Sequence, residues 1–151
     1  MDRREGDLIK LALAGEFDVI VHGCNCFHTM GAGIARVIRD RFPEAYQADK
    51  TTVHGTRDKL GTISTALITR ADARFNIVNA YTQHHWKGAG VKAEYPAIKS
   101  CFEAIARDFN GARIGYPLIG AGLARGDWSV IEPIIDTALA GQRHTLVVLP
   151  D

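Results

Sequence analysis

Val19-Ile20-Val21-His22-Gly23-Cys24-Asn25-Cys26-Phe27-His28-Thr29-Met30-Gly31-Ala32-Gly33-Ile34 decides how this chain is read. A β-branched apolar run breaks into a polar, glycine-rich loop, and apolar residues then return at helical spacing through Val37 and Ile38 to Phe42. The stretch therefore predicts strand, loop and helix in succession. The pattern recurs once. Ile114-Gly115-Tyr116 leads into Leu118-Ile119-Gly120-Ala121-Gly122-Leu123-Ala124-Arg125-Gly126-Asp127-Trp128, and a helical segment from Ser129 follows. Glycines without side chains let backbone N–H groups converge on a phosphate, and the positive end of the next helix attracts negative charge. Two such loops facing one crevice suit a diphosphate, whereas glycines that only make tight turns are the alternative for either loop alone.

Working outward, Thr62–Ile68, Phe75–Ala80 and Thr145–Leu149 also read as strands. Leu8–Ala14, Ala97–Phe109 and Val130–Leu139 carry apolar residues at helical spacing. Gly111 and Gly141 stand where left-handed helix caps are wanted, and Pro43 closes the helix that ends near Phe42. Helices alternating with strands that read as apolar runs predict a three-layer α/β sandwich with a largely parallel sheet. With 151 residues and no linker or repeat, residues 1–151 are expected to form one domain.

Charge and cysteine content narrow the function classes. A formal net charge of +1, without a basic run, gives no broad electrostatic grip on a nucleic-acid polymer. No apolar stretch approaches the ~18 residues of a membrane span, and the start Met1–Gly6 is charged rather than apolar, so a soluble, unexported protein is expected. Three cysteines, two of them one residue apart, suggest no disulfide framework and hence a reducing compartment, so the cytoplasm is expected. The run His22-x-Cys24-x-Cys26-x-His28 contains ligand types that zinc prefers, but its spacing fits no known template, and no metal or other cofactor is expected.

Three elements in order, Gly6-Asp7-Leu8-Ile9, then Asn25 with Gly31-Ala32-Gly33-Ile34-Ala35, then Ile119-Gly120-Ala121-Gly122-Leu123 with Trp128 behind it, resemble the macro domain family over nearly the whole chain. That resemblance implies a macro fold, three α/β/α layers on a mixed, largely parallel central sheet, and binding of ADP-ribose. It also implies that Asp7, beside Leu8, accepts a hydrogen bond from the adenine amine, that Gly31–Ile34 wraps the distal ribose and adjacent phosphate, and that Ile119–Leu123 covers the diphosphate. The variant His22-Gly-Cys-Asn-Cys looks like the branch of ADP-ribose 1″-phosphate phosphatases; Met30-Gly-Ala-Gly-Ile-Ala looks like the terminal ADP-ribose glycohydrolases. The latter use a lysine and an aspartate at positions that here hold Gln83 and Ala124, which puts a lysine-dependent mechanism in doubt, with Lys87 nearby as the remaining amine.

The expected function is hydrolysis of an ADP-ribose derivative, ADP-ribose 1″-phosphate or an ADP-ribosyl linkage, by a monomer. The alternative is a non-catalytic module that reads ADP-ribose, free or on a macromolecule. For catalysis, His22 suits an acid, a base or a phosphate ligand, or else is hydrogen-bonded under the loop for structural reasons. Asn25 suits a ribose hydroxyl, a phosphate oxygen or a water, or simply a turn. Asp127 is a general base or the N-terminal cap of the last helix. Tyr81 or Trp86 is expected to stack on the adenine or flank the distal ribose, unless both are core edges.

Overall fold

A computed structural model describes residues 1–150. In chain order its elements are β1 (Asp2–Glu5), α1 (Leu8–Leu13), β2 (Val19–Cys24), α2 (Gly33–Arg41), α3 (Pro43–Lys50), β3 (Ile63–Arg70), β4 (Ala73–Tyr81), α4 (Tyr95–Asp108), β5 (Arg113–Tyr116), α5 (Trp128–Ala138) and β6 (Arg143–Val148). They build one six-stranded sheet in the order β1-β6-β5-β2-β4-β3. Every neighbouring pair is parallel except β3 and β4, which form an antiparallel hairpin at one edge. The alternation predicted the largely parallel sheet, and the antiparallel β3–β4 edge makes it the mixed sheet that the family resemblance implied.

Side-chain alternation along the strands assigns the two core layers. Val19 and Val21 point to one face, where α4 and α5 bring Ile98, Phe102, Ile131 and Ile135. Ile20 points to the other, packed with Leu8, Ile38, Phe42 and Ile77 under α1, α2 and α3. Covered on both faces, β2 is buried almost throughout, which is why it reads as an unbroken apolar run.

Two elements differ from the expectation. Asp2–Glu5, expected only as a charged start, forms edge strand β1, pairing in parallel with Thr145–Val148. Its four side chains are all exposed, so backbone pairing rather than burial makes it a strand, and no periodicity announces it. Pro43 opens α3 instead of merely closing the preceding helix, because its fixed φ and missing N–H suit the first helical turn.

Since five strands run parallel, the segments after β1, β2, β4 and β5 all emerge along one rim of the sheet. Asp7, the Cys24–Ala32 loop, Thr82–Gln83 and the Leu118–Asp127 loop are thus gathered at the carboxyl ends of the strands, the usual ligand position in α/β folds.

Candidate functional site

A cleft of about 570 Å³ opens on that rim. The first loop lines it with Asn25, Thr29, Met30, Gly31 and Ala32; the second contributes Leu123 and Arg125. Across it the loops nearly touch, for a Cβ on Gly33 would lie 3.5 Å from Leu123 Cδ1. Leu123 is 73% exposed, a large apolar side chain left at the mouth.

Local chemistry explains why the first loop is open to a ligand. Helices α1 and α5 are capped by Asp7 and Asp127, whose carboxylates accept backbone N–H groups of Ile9 and Lys10, and of Ser129, respectively. Helix α2 has Ala32 in that position, and no side chain caps it. Its start adjoins the cleft, which Gly31, Ala32 and Ala35 line, and the positive end of the helix dipole therefore lies at the cleft. Lys92 and Arg125, which also line the cleft, add two positive charges.

Backbone strain is concentrated here too. Among the described residues, the non-glycine residues with positive φ are His28 (59°), Met30 (39°) and Arg125 (59°), all in the two loops. Side chains brace the first loop against that cost: Asn25 Nδ2 donates to Thr29 Oγ1 at 2.6 Å, Asn25 Oδ1 accepts the Phe27 N–H at 2.8 Å, and Tyr46 donates to the His28 carbonyl at 3.0 Å. Asn25 is therefore a turn former that also faces the cleft.

His22 is placed differently from the expectation. It is fully buried beneath the cleft, its Nε2 2.6 Å from Asn79 Oδ1, with the Cys24 thiol 3.6 Å from the ring. Burial lowers its pKa and keeps the imidazole neutral. Cys24, not His22, forms the floor at this point, and burial raises its thiol pKa well above the ordinary value, so it is no thiolate nucleophile. Nor is Tyr81 free to stack on a ligand, because its ring is buried and its hydroxyl donates to Asp49 Oδ1 at 2.7 Å.

The remaining expected residues divide. Trp86 and Gln83 line the cleft, and Gln83 presents an amide where an amine was sought. Ala124 is buried, and the Lys87 ammonium lies 5.6 Å over the Trp86 ring rather than in the lining. Asp127 is held at its cap by the Ser129 N–H and hydroxyl, at 2.9 and 2.7 Å. Leu8 and Ile119 are core residues, while Gly120 to Gly122 shape the second loop behind Leu123. Asp7 stands on the same rim after β1, outside the cleft lining.

Two groups escaped the sequence reading. Asp49, on the polar helix α3, lines the cleft although it is only 1% exposed. Lys92 is the lysine that lines the cleft. Neither lies near a loop motif, and only packing brings them to the rim.

Comparison with known proteins agrees with the fold. The macro domain family matches residues 21–135. A 17.5 kDa uncharacterized protein from the tk-vs intergenic region of Enterobacteria phage T4 is 37% identical over 139 residues, which is 88% of this chain and 86% of its own length. A DNA ADP-ribosyl glycohydrolase of Mycobacterium tuberculosis is 26% identical over 127 residues, 84% of this chain but only 35% of that longer protein. Among solved structures, the macrodomain of Mycobacterium tuberculosis DarG superimposes with a TM-score of 0.75 at 22% identity, covering 99% of this chain and 98% of that one. Thermosipho africanus DarTG in complex with ADP-ribose gives a TM-score of 0.70 at 20% identity, over 99% of this chain and 42% of that one. The chain belongs to the macro domain family.

Proposed function

We propose that the rim cleft binds ADP-ribose and that the protein hydrolyses an ADP-ribosyl linkage, releasing ADP-ribose. The observation that carries the reading is the pair of strand–loop–helix units facing one another across the cleft, Gly33 against Leu123, with the uncapped start of α2 and the charges of Lys92 and Arg125 beside them. A diphosphate satisfies that combination of bare backbone donors and positive charge. Asp7, at the β1 end of the rim, takes the adenine, so the distal ribose extends towards β4, where Asn25, Thr29, Asp49 and Gln83 lie.

Two relations favour hydrolysis over mere binding. The chain resembles a DNA ADP-ribosyl glycohydrolase over most of its length, and a carboxylate stands at the distal end of the cleft. ADP-ribose 1″-phosphate is the second substrate reading, supported by the His22-Gly-Cys-Asn-Cys sequence but not by the burial of His22. Gln83 at the expected lysine position supports the reader alternative. One assay separates them: ADP-ribosylated DNA, ADP-ribosylated protein and ADP-ribose 1″-phosphate are incubated with the protein, and ADP-ribose or phosphate is followed. Release from an ADP-ribosylated macromolecule is expected; binding of ADP-ribose without any release would establish a reader.

The adenine assignment has its own test. Asp7→Asn retains a cap oxygen for α1 but removes the charge, so the fold should hold while ADP-ribose binding weakens by about 1 kcal/mol. Ribose 5-phosphate, lacking adenine, should bind variant and parent equally; an equal loss for both ligands would refute the placement of adenine at Asp7.

A further inference from the structure

Beneath the cleft, on the α3 face of the sheet, the strand register sets polar side chains where a core would otherwise be apolar. His22 of β2 pairs with Asn79 of β4, and Asn79 pairs with Ser64 of β3, so the three lie in one row across the sheet. Tyr81, two residues beyond Asn79, shares the same face. Their hydrogen bonds have a single direction. His22 Nε2 can only donate to the Asn79 carbonyl oxygen, at 2.6 Å. Asn79 Nδ2 donates to Ser64 Oγ at 3.0 Å and to the Ala45 carbonyl at 3.0 Å. The Ser64 hydroxyl, 2.8 Å from the Tyr81 oxygen, is left to donate to it, because the Tyr81 hydroxyl donates to Asp49 Oδ1 at 2.7 Å. One continuous line of donation thus runs from His22 to Asp49, with a side branch from Asn79 to the Ala45 carbonyl.

Further contacts fix the end of the chain. Thr52 Oγ1 donates to the Asp49 carbonyl at 2.6 Å and accepts from Lys59 Nζ at 2.7 Å. The Lys59 ammonium, itself only 6% exposed, lies 4.3 Å over the Tyr81 ring. Burial lowers the Lys59 pKa, and the negative charge of Asp49 opposes that shift. Burial also raises the Tyr81 pKa, which keeps the phenol protonated as a donor. Among the described residues, Asp49 Oδ2 has no hydrogen-bond donor, although Asp49 lines the cleft.

We propose that Asp49 is the general base of the hydrolysis, and that the directed chain from His22 through Asn79, Ser64 and Tyr81 positions it. This rests on the hydrolase reading above. Asp49 Oδ2 takes a proton from water as the water oxygen bonds to C1″ of the distal ribose. The C1″–N or C1″–O bond breaks, its electron pair leaves with the modified group, and that group takes a proton from solvent while Asp49 returns its own. ADP-ribosyl–X and water become ADP-ribose and H–X. The same carboxylate selects the substrate class, because a terminal phosphate at C1″ would face a like charge in a partly desolvated wall. The substrate is accordingly an uncharged glycosidic linkage rather than ADP-ribose 1″-phosphate.

The isosteric Asp49→Asn variant tests this in the full chain. Its kcat on the best ADP-ribosylated substrate should fall by at least ~100-fold, the range for loss of a general base, while ADP-ribose affinity by calorimetry stays within about threefold. The parent should bind ADP-ribose roughly tenfold more tightly than ADP-ribose 1″-phosphate, and Asp49→Asn should erase that preference. Tyr81→Phe should lower kcat about tenfold in the parent yet have almost no further effect in Asp49→Asn, a coupling that a merely structural tyrosine would not show. An active Asp49→Asn enzyme, a variant that also loses ADP-ribose, or additive effects of the two substitutions would overturn the proposal while leaving the hydrolase reading intact. A parent that binds ADP-ribose but releases nothing from any substrate would overturn both.

Discussion

The two glycine loops have similar sequences and opposite physical reasons for their glycines. In the second loop a Cβ on Gly126 would clash with the Gly120 carbonyl oxygen, and one on Gly120 would press on Ile98, Ile131 and Ala93 at 3.0 to 3.2 Å. Those glycines let the loop fold tightly over α4 and α5. The first loop has space instead: a Cβ on Gly31 meets only a backbone oxygen at 3.8 Å, and one on Gly33 meets only the movable tip of Leu123. Gly120 and Gly126 of the second loop are glycines because they are packed, whereas Gly31 and Gly33 leave the first loop's backbone bare at the cleft. Glycine spacing alone does not distinguish a cradle from a core.

Substitution breaks or sharpens that contrast. Gly126→Ala should destabilise most, by about 3 kcal/mol, because the clash is with backbone that cannot rotate away; its melting temperature measures this, and an unchanged value would contradict the packing account. Gly33→Glu should do the reverse. With φ at 57° the substitution is strained, at roughly 1–2 kcal/mol, but the side chain has room, so the fold should survive with a fall of several degrees. Its carboxylate would stand where the diphosphate is placed, and ADP-ribose affinity should drop by ~100-fold or more. Normal binding by this variant would displace the site. Gly122→Ala should be mildest, since nothing lies within 4 Å of its Cβ and its φ is not positive. A stability change within ~0.5 kcal/mol is expected, and a loss equal to that of Gly126→Ala would erase the distinction between tight and open parts of the second loop.

The same contrast explains what was legible in the sequence. Strands β2 to β6 announced themselves as apolar runs because burial on one or both faces writes itself into residue type. Strand β1 did not, since an exposed edge is made by backbone pairing that any residue supplies. The loops of the site were visible because glycine and strand–helix order are local properties. Asp49 was not, for Ala45-Tyr46-Gln47-Ala48-Asp49-Lys50 carries neither an apolar run nor a glycine motif. Its position at the cleft depends on α3 packing over the β3–β4 hairpin, with the Tyr81 hydroxyl reaching it from 32 residues away in sequence. His22 was noticed for its chemistry, but its direction was hidden: in β2 it shares the α3 face with Ile20, which turns the imidazole under the cleft instead of into it.

The central claim, that the rim cleft is an ADP-ribose site, is tested most directly by titrating ADP-ribose into the protein in a calorimeter, with Gly33→Glu as the matched control. A single saturable transition in the parent, absent from the folded variant, is the predicted result, accompanied by about 2.7 kcal/mol of added stability at ~100 times Kd. No heat of binding in the parent, or equal binding by both proteins, would contradict the account.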